Sequence, residues 1–168
     1  NVDSAEATEV KQYLSNLKPD EYKAAIEELS AAGSYIHGTH VAGIAVAGNP
    51  YARLANARIE FGHTLQPDPC PSLELTLKDA RNTQAYVDFF RRHRVRVVNM
   101  SFGGSVGDVE GQLEQCGIGA NADERRKIAR EWFDIGKGAF VRAMASAPEV
   151  LFVAAAGNEN ADSSFAES

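Results

Sequence analysis

The sequence predicts an α/β domain, a parallel sheet with helices on both faces. Three observations predict it. The strand-like segments "VRVVNMS" and "EVLFVAAAG" are apolar almost throughout, as strands covered on both faces must be. They alternate with longer stretches of helical periodicity, the pattern of crossover connections. Each of the two ends in polar residues beside glycines, Asn99-Met100-Ser101-Phe102-Gly103-Gly104 and Ala156-Gly157-Asn158-Glu159-Asn160. In parallel sheets ligands gather at such carboxyl ends.

In chain order, Ser4 caps a helix over roughly residues 5–16. Pro19 suits a first helical position, with Asp20 and Glu21 in the favourable first turn, and Gly33 is expected to close this second helix. A short helix from about Thr39 to Ala47 follows. Its apolar residues run nearly all round it, which predicts burial. "ARIEFGHTL" reads as a strand and "QPDPCPS" as a proline-rich loop. Helical spacing resumes from Leu73 to about Arg94, with Leu77, Ala80, Tyr86, Phe89 and Phe90 as inward positions. "VRVVNMS" is a strand stopped by Gly103-Gly104. "SVGDVEGQLEQCGIGAN" reads as a loop-like insertion. A long helix spans Asp123 to Ala147, with Ile128, Trp132, Ile135, Ala139 and Ala143 on one stripe, and "EVLFVAAAG" is the last strand.

Bulk properties narrow the function. The chain of 168 residues is long enough for one sizeable core. Its net charge of −6 argues against a nucleic-acid partner, which calls for a basic face. No apolar run has the length of a membrane span, so no membrane partner is expected. Residues 1–10 are polar and acidic, unlike a signal peptide, and with no initiator Met the chain is expected to lie inside a longer protein. Cys70 and Cys116 have no metal-ligand spacing; one disulfide or two free thiols both fit.

The stretch "GSYIHGTHVAGIAVAG" sets two histidines, His37 and His40, among glycines. His37 can be a catalytic base, a metal ligand or a packed structural histidine. The spacing His-x-x-His lacks the Glu of His-Glu-x-x-His and has no evident third ligand. Neither Gly-x-Gly-x-x-Gly nor a P-loop occurs, which disfavours a small-molecule α/β enzyme with phosphate at a helix start.

"HGTHVAGI", "VVNMSFGG" and "LFVAAAGNEN", in that order, resemble three motifs of the subtilisin-like serine peptidases, the subtilases. The resemblance covers about residues 33–160; residues 1–32 look like a helical addition and 105–122 like an insertion in a single peptidase domain. It implies a serine endopeptidase that cuts peptide or protein substrates through an acyl-enzyme and uses no cofactor. His37 is then the base, and imidazole suits that role because it titrates close to working pH. Asn158 is implied as an oxyanion donor. Ser101, Phe102 and Gly103 pair with extended substrate, and Ala155, Ala156 and Gly157 line the pocket for the side chain before the cut bond. Ser101 is thus a binding residue and not the nucleophile.

The family's nucleophile lies in a Gly-Thr-Ser-Met-Ala motif, which this sequence does not contain, and Ser163 and Ser164 come too soon after Asn158 to replace it. The triad also needs an Asp that orients the His. Asp3-Ser4 is a poor match, since Ala5 stands where the family has Gly and no apolar strand precedes it. The expectation is a middle segment of a peptidase domain, inactive by itself, or alternatively a peptide-binding pseudo-peptidase. "AGNPYARLANA" has few oxygen side chains for calcium, so no metal is expected. A secreted or cell-envelope location follows from the resemblance only. Strands deprived of neighbours would leave a sticky edge, and self-association is expected to cover it.

Overall fold

A computed structural model describes residues 4–59 and 62–157. These form two compact bodies, residues 4–52 with 62–65, and residues 53–59 with 66–157. Each is described by itself.

The first body is built on two helices, α1 (Ala5–Ser15) and α2 (Pro19–Val46). Ser4 caps α1 as its sequence predicts, its hydroxyl accepting from Ala7 N at 3.1 Å. Pro19 opens α2, and the Glu21 carboxylate reaches back to accept from Lys18 N at 3.0 Å. Gly33 does not end this helix, contrary to the expectation. The helix runs unbroken through Gly33, Gly38 and Gly43 and stops where Gly48 turns left-handed, with φ of 75°. A glycine disfavours a helix interior by about 1 kcal/mol, which does not end a helix unless the backbone also leaves helical angles. The expected buried helix at 39–47 is therefore the last part of α2, and it is largely exposed. Ala25 is the one buried residue of α2, whereas Ile44 is 64% exposed and Tyr35 88%. All-round apolarity predicts burial only if a second layer lies against the helix; within this body that cover reaches Ala25 and not the C-terminal turns. In the same body Leu65 N donates to Glu27 Oε1 at 2.9 Å.

The second body holds α3 (Leu73–Arg92), β1 (Val97–Met100), α4 (Val106–Gln115), α5 (Ala122–Ala145) and β2 (Leu151–Ala154). β1 and β2 pair in parallel, Val97 opposite Leu151 and Met100 opposite Ala154, so the α/β class and the parallel pairing stand. The "ARIEFGHTL" stretch forms no strand among its described residues. Its backbone finds side chains in place of a ladder: Arg58 O accepts from the Tyr86 hydroxyl at 3.0 Å, and Leu65 N is held by Glu27.

Two clusters make the core. In the first, Val98 of β1 meets Val87 of α3, Ala143 of α5, and Ala147 and Val150 from the turn before β2. The inward stripe of α3 is Thr83, Val87 and Phe90, spaced as one helix face; Leu77, expected inward, is exposed. In the second cluster Leu113 and Val106 of α4 pack on Ala129 of α5, with Ile128, Trp132 and Phe133 around them. The segment 105–121 is thus not loop-like: it contains α4, capped by Ser105, and this helix packs on α5. Its glycines Gly107 and Gly111 masked the helical spacing of Val106, Val109 and Leu113.

Cys70 and Cys116 are joined, with their Cα atoms 5.9 Å apart, so of the two readings left open the disulfide holds. Arg91 Nε meets Glu149 Oε1 at 2.9 Å, tying the end of α3 to the turn before β2. One sheet face is covered by α3 and α5. On the other, Val97, Leu151 and Val153 are exposed among the described residues.

Leu113 is fully buried, so Leu113→Ala should destabilise the chain by about 2–5 kcal/mol in urea denaturation. Gly119 has φ of 87°, and a Cβ there would lie 2.6 Å from Arg125 Cγ and 3.3 Å from its backbone N. Gly119→Ala should therefore cost about 1–2 kcal/mol, read from the same curves. The Glu149 carboxyl is held below its ordinary pKa, first by its own backbone N–H and then by Arg91. A depressed folded-state pKa stabilises above the unfolded pKa, and the effect is lost as pH falls through the folded one. Wild type should thus exceed Glu149→Gln in stability at neutral pH, and the difference should shrink as the pH falls below the ordinary carboxylate range.

Candidate active site

The carboxyl ends of β1 and β2 emerge side by side. Ala155 N donates to Met100 O at 3.1 Å, carrying the ladder one step past the last strand pair. That bond sets Ser101-Phe102-Gly103 next to Ala155-Ala156-Gly157, so the six residues expected to bind substrate share one edge of the sheet. Parallel pairing brings this about: both strands run the same way, and each ends three residues before a glycine, Gly103 and Gly157.

Side chains on this edge are modest in size. Ser101 and Phe102 are half-buried; Gly103, Ala155, Ala156 and Gly157 are exposed. Asn99 Nδ2 donates to Ser101 Oγ at 2.8 Å, two residues along the same face of the strand. Gly157 takes φ of 90°, a left-handed angle that a side chain resists. It turns the chain at the end of β2, immediately before Asn158. Asn158 itself, the expected oxyanion donor, lies outside the described residues, as does Asp3.

His37 is in the first body. It stands within α2, not at a helix start, and is exposed, with His40 exposed one turn on. Residues three apart share a helix face, so the two rings face the same side. Gly38 beside it is open, with no atom within 4 Å of where a Cβ would stand. The base candidate and the edge candidates thus belong to separately described bodies. Among the described residues no group of three His, Cys, Asp or Glu side chains gathers where a metal ion could be held. No helix of the described residues is long and apolar enough to cross a membrane.

Sequence reasoning missed the helix that follows the edge. α4 starts at Val106, just after Gly103-Gly104, and Ser105 with Asp108 forms its capping box. The signal was present as Ser-x-x-Asp before an apolar position. Gly157→Ala would place a Cβ on a left-handed residue and should lower stability by roughly 1–2 kcal/mol, measured by thermal denaturation against Ala156→Gly as a control on the neighbouring residue.

The subtilase family model, peptidase S8, matches residues 5–167. Comparisons with curated proteins and with solved structures give no match. The match spans nearly the whole chain, and the parallel α/β pairing is consistent with it; the chain belongs to the subtilases, a family of serine peptidases.

Proposed function

We propose that this chain is a segment of a subtilisin-like serine endopeptidase that supplies three parts of the machinery. His37 is the general base, Asn158 donates to the oxyanion, and the β1–β2 edge pairs with the substrate backbone. The observation that carries the reading is the juxtaposition of Ser101–Gly103 with Ala155–Gly157 at one carboxyl edge. An extended peptide laid along such an edge gains main-chain hydrogen bonds, while the small Ala155 and Ala156 leave room for its side chain.

In the reaction, His37 takes the proton of a serine hydroxyl as that oxygen attacks the peptide carbonyl, and then gives it to the leaving amine. Asn158 stabilises the oxygen that becomes negative in between. The 168 residues hold no Gly-Thr-Ser-Met-Ala motif, so in this reading the nucleophile and the orienting Asp come from other parts of the peptidase. The chain by itself then turns over no peptide. We take residues 33–160 as the family core, with 1–32 and 105–122 as additions to it. The second reading is a peptide-binding domain without chemistry, which keeps the same edge; a Gly-Thr-Ser motif in the protein that contains this segment would decide for the peptidase.

Two experiments test the proposal. In the peptidase that contains this segment, His37→Ala should reduce kcat to near background. Asn158→Ala should lower kcat about 10²–10³-fold with little change in KM; that magnitude comes from subtilisin itself. Turnover unaffected by His37→Ala would reject its role as the base. The absence of any turnover in the unaltered peptidase, with peptide binding retained, would favour the second reading. The isolated chain, with Val97, Leu151 and Val153 exposed on its sheet, is expected to self-associate in sedimentation equilibrium.

A further inference from the structure

We propose that the Cys70–Cys116 disulfide, acting through α4, positions the Ser101–Gly104 strand end, so that the edge keeps one conformation. The proposal deepens the peptidase reading and rests on it for what the edge binds.

The edge is held from two sides. Upstream, Met100 lies in the sheet and its carbonyl accepts from Ala155 N. Downstream lies α4. Between them are Gly103 and Gly104, both exposed, with no atom within 4 Å of either missing Cβ. A glycine pair has the widest backbone choice of any dipeptide, and among the described residues none approaches the missing Cβ atoms of this one. Its path is set by where its two flanks are fixed.

The downstream flank is fixed by the capping box. Ser105 Oγ accepts from Asp108 N at 3.2 Å, and Asp108 Oδ2 accepts from Ser105 N at 2.7 Å. That cap exists only while α4 is helical, and α4 is weak by itself. It has ten residues, including Gly107, Gly111 and the β-branched Val106 and Val109. Its hold comes from Val106 and Leu113, packed on Ala129, from the ion pairs Arg125–Glu114 and Arg126–Glu110, and from its far end, where Cys116 is the C-cap residue and is bonded to Cys70. Cys70 belongs to the loop that leads into α3, and α3 is seated in the first cluster through Val87. The covalent ring, closed over a separation of 46 residues, therefore contains α3, β1, the Ser101–Gly104 strand end and α4. Opening it frees the C-cap of α4. The short helix then frays, the Ser105–Asp108 box opens more often, and the glycine pair loses its downstream anchor. A strand-addition edge must present its N–H and C=O groups at fixed spacing, so this loss would weaken peptide pairing.

Amide hydrogen exchange on the full chain tests this, comparing wild type with Cys70→Ser/Cys116→Ser. Residues 101–109 should exchange about ten-fold faster or more, while α3 and residues 135–145 of α5 keep their protection. Unchanged exchange at 101–109, or equal acceleration throughout, overturns the proposal. Because the double variant can fail to fold, Asp108→Ala provides a second route with the disulfide intact. It should accelerate residues 103–107 and leave α5 unchanged; no local change there also overturns the proposal. Fluorescence anisotropy with an extended, uncleavable peptide then separates the two readings. Affinity should fall about ten-fold or more in both variants. Equal affinity in all three proteins, despite altered exchange, overturns the positioning role. Local acceleration with no peptide bound by wild type supports the mooring and counts against the peptide-pairing reading alone.

Discussion

The second body depends on the alanine stripe of α5. Ala129, Ala139 and Ala143 are buried along one helix, and Ala147 continues the line past its end. A methyl side chain lets a neighbouring helix approach closely, with its larger residues filling the space. α4 uses this near Ala129, where Leu113 and Val106 fit. α3 and β1 use it near Ala143, where Val87 and Val98 fit. One helix thus serves as the common wall of both clusters, and the strand edge is held between them. A larger side chain at Ala129 or Ala143 would push α4 or the sheet outward, and the edge would shift with it.

The elements that were legible in the sequence are those whose signal is local. Ser4 caps α1 as its sequence predicts, and α1, α3 and α5 are evident from spacing. The α5 stripe reads directly, because Ala139 and Ala143 repeat at the helical period and a buried face needs them small. Both strand ends were legible too, since an apolar run that stops at glycine has few other readings. What failed depends on distant partners. The helix at 39–47 reads as buried from its composition, yet exposure is decided by what lies against it. "ARIEFGHTL" has strand-like residues, and side chains of α2 and α3 take its backbone hydrogen bonds instead. α4 was hidden because its two glycines weaken the local signal while Leu113, Val106 and a disulfide hold the helix through contacts far along the chain.

The candidate site divides along the same line. Its edge follows from parallel pairing, which two short apolar strands determine. The roles proposed for His37 and Asn158 rest on motif resemblance, since spacing alone would not single them out from other histidines and asparagines. His37 is an exposed residue of a long helix.

The sheet pairs Val97 with Leu151 across the whole of α4 and α5. A parallel ladder cannot be nucleated by a tight turn, so no local hairpin can start this one. Its two strands are four residues each, too short to hold together without the helices. During folding the ladder must therefore wait until α4 and α5 have docked and brought the strand ends within reach, a long loop closure that slows the search. The edge at Ser101 and Ala155 is then among the last parts to take shape, after the body that supports it.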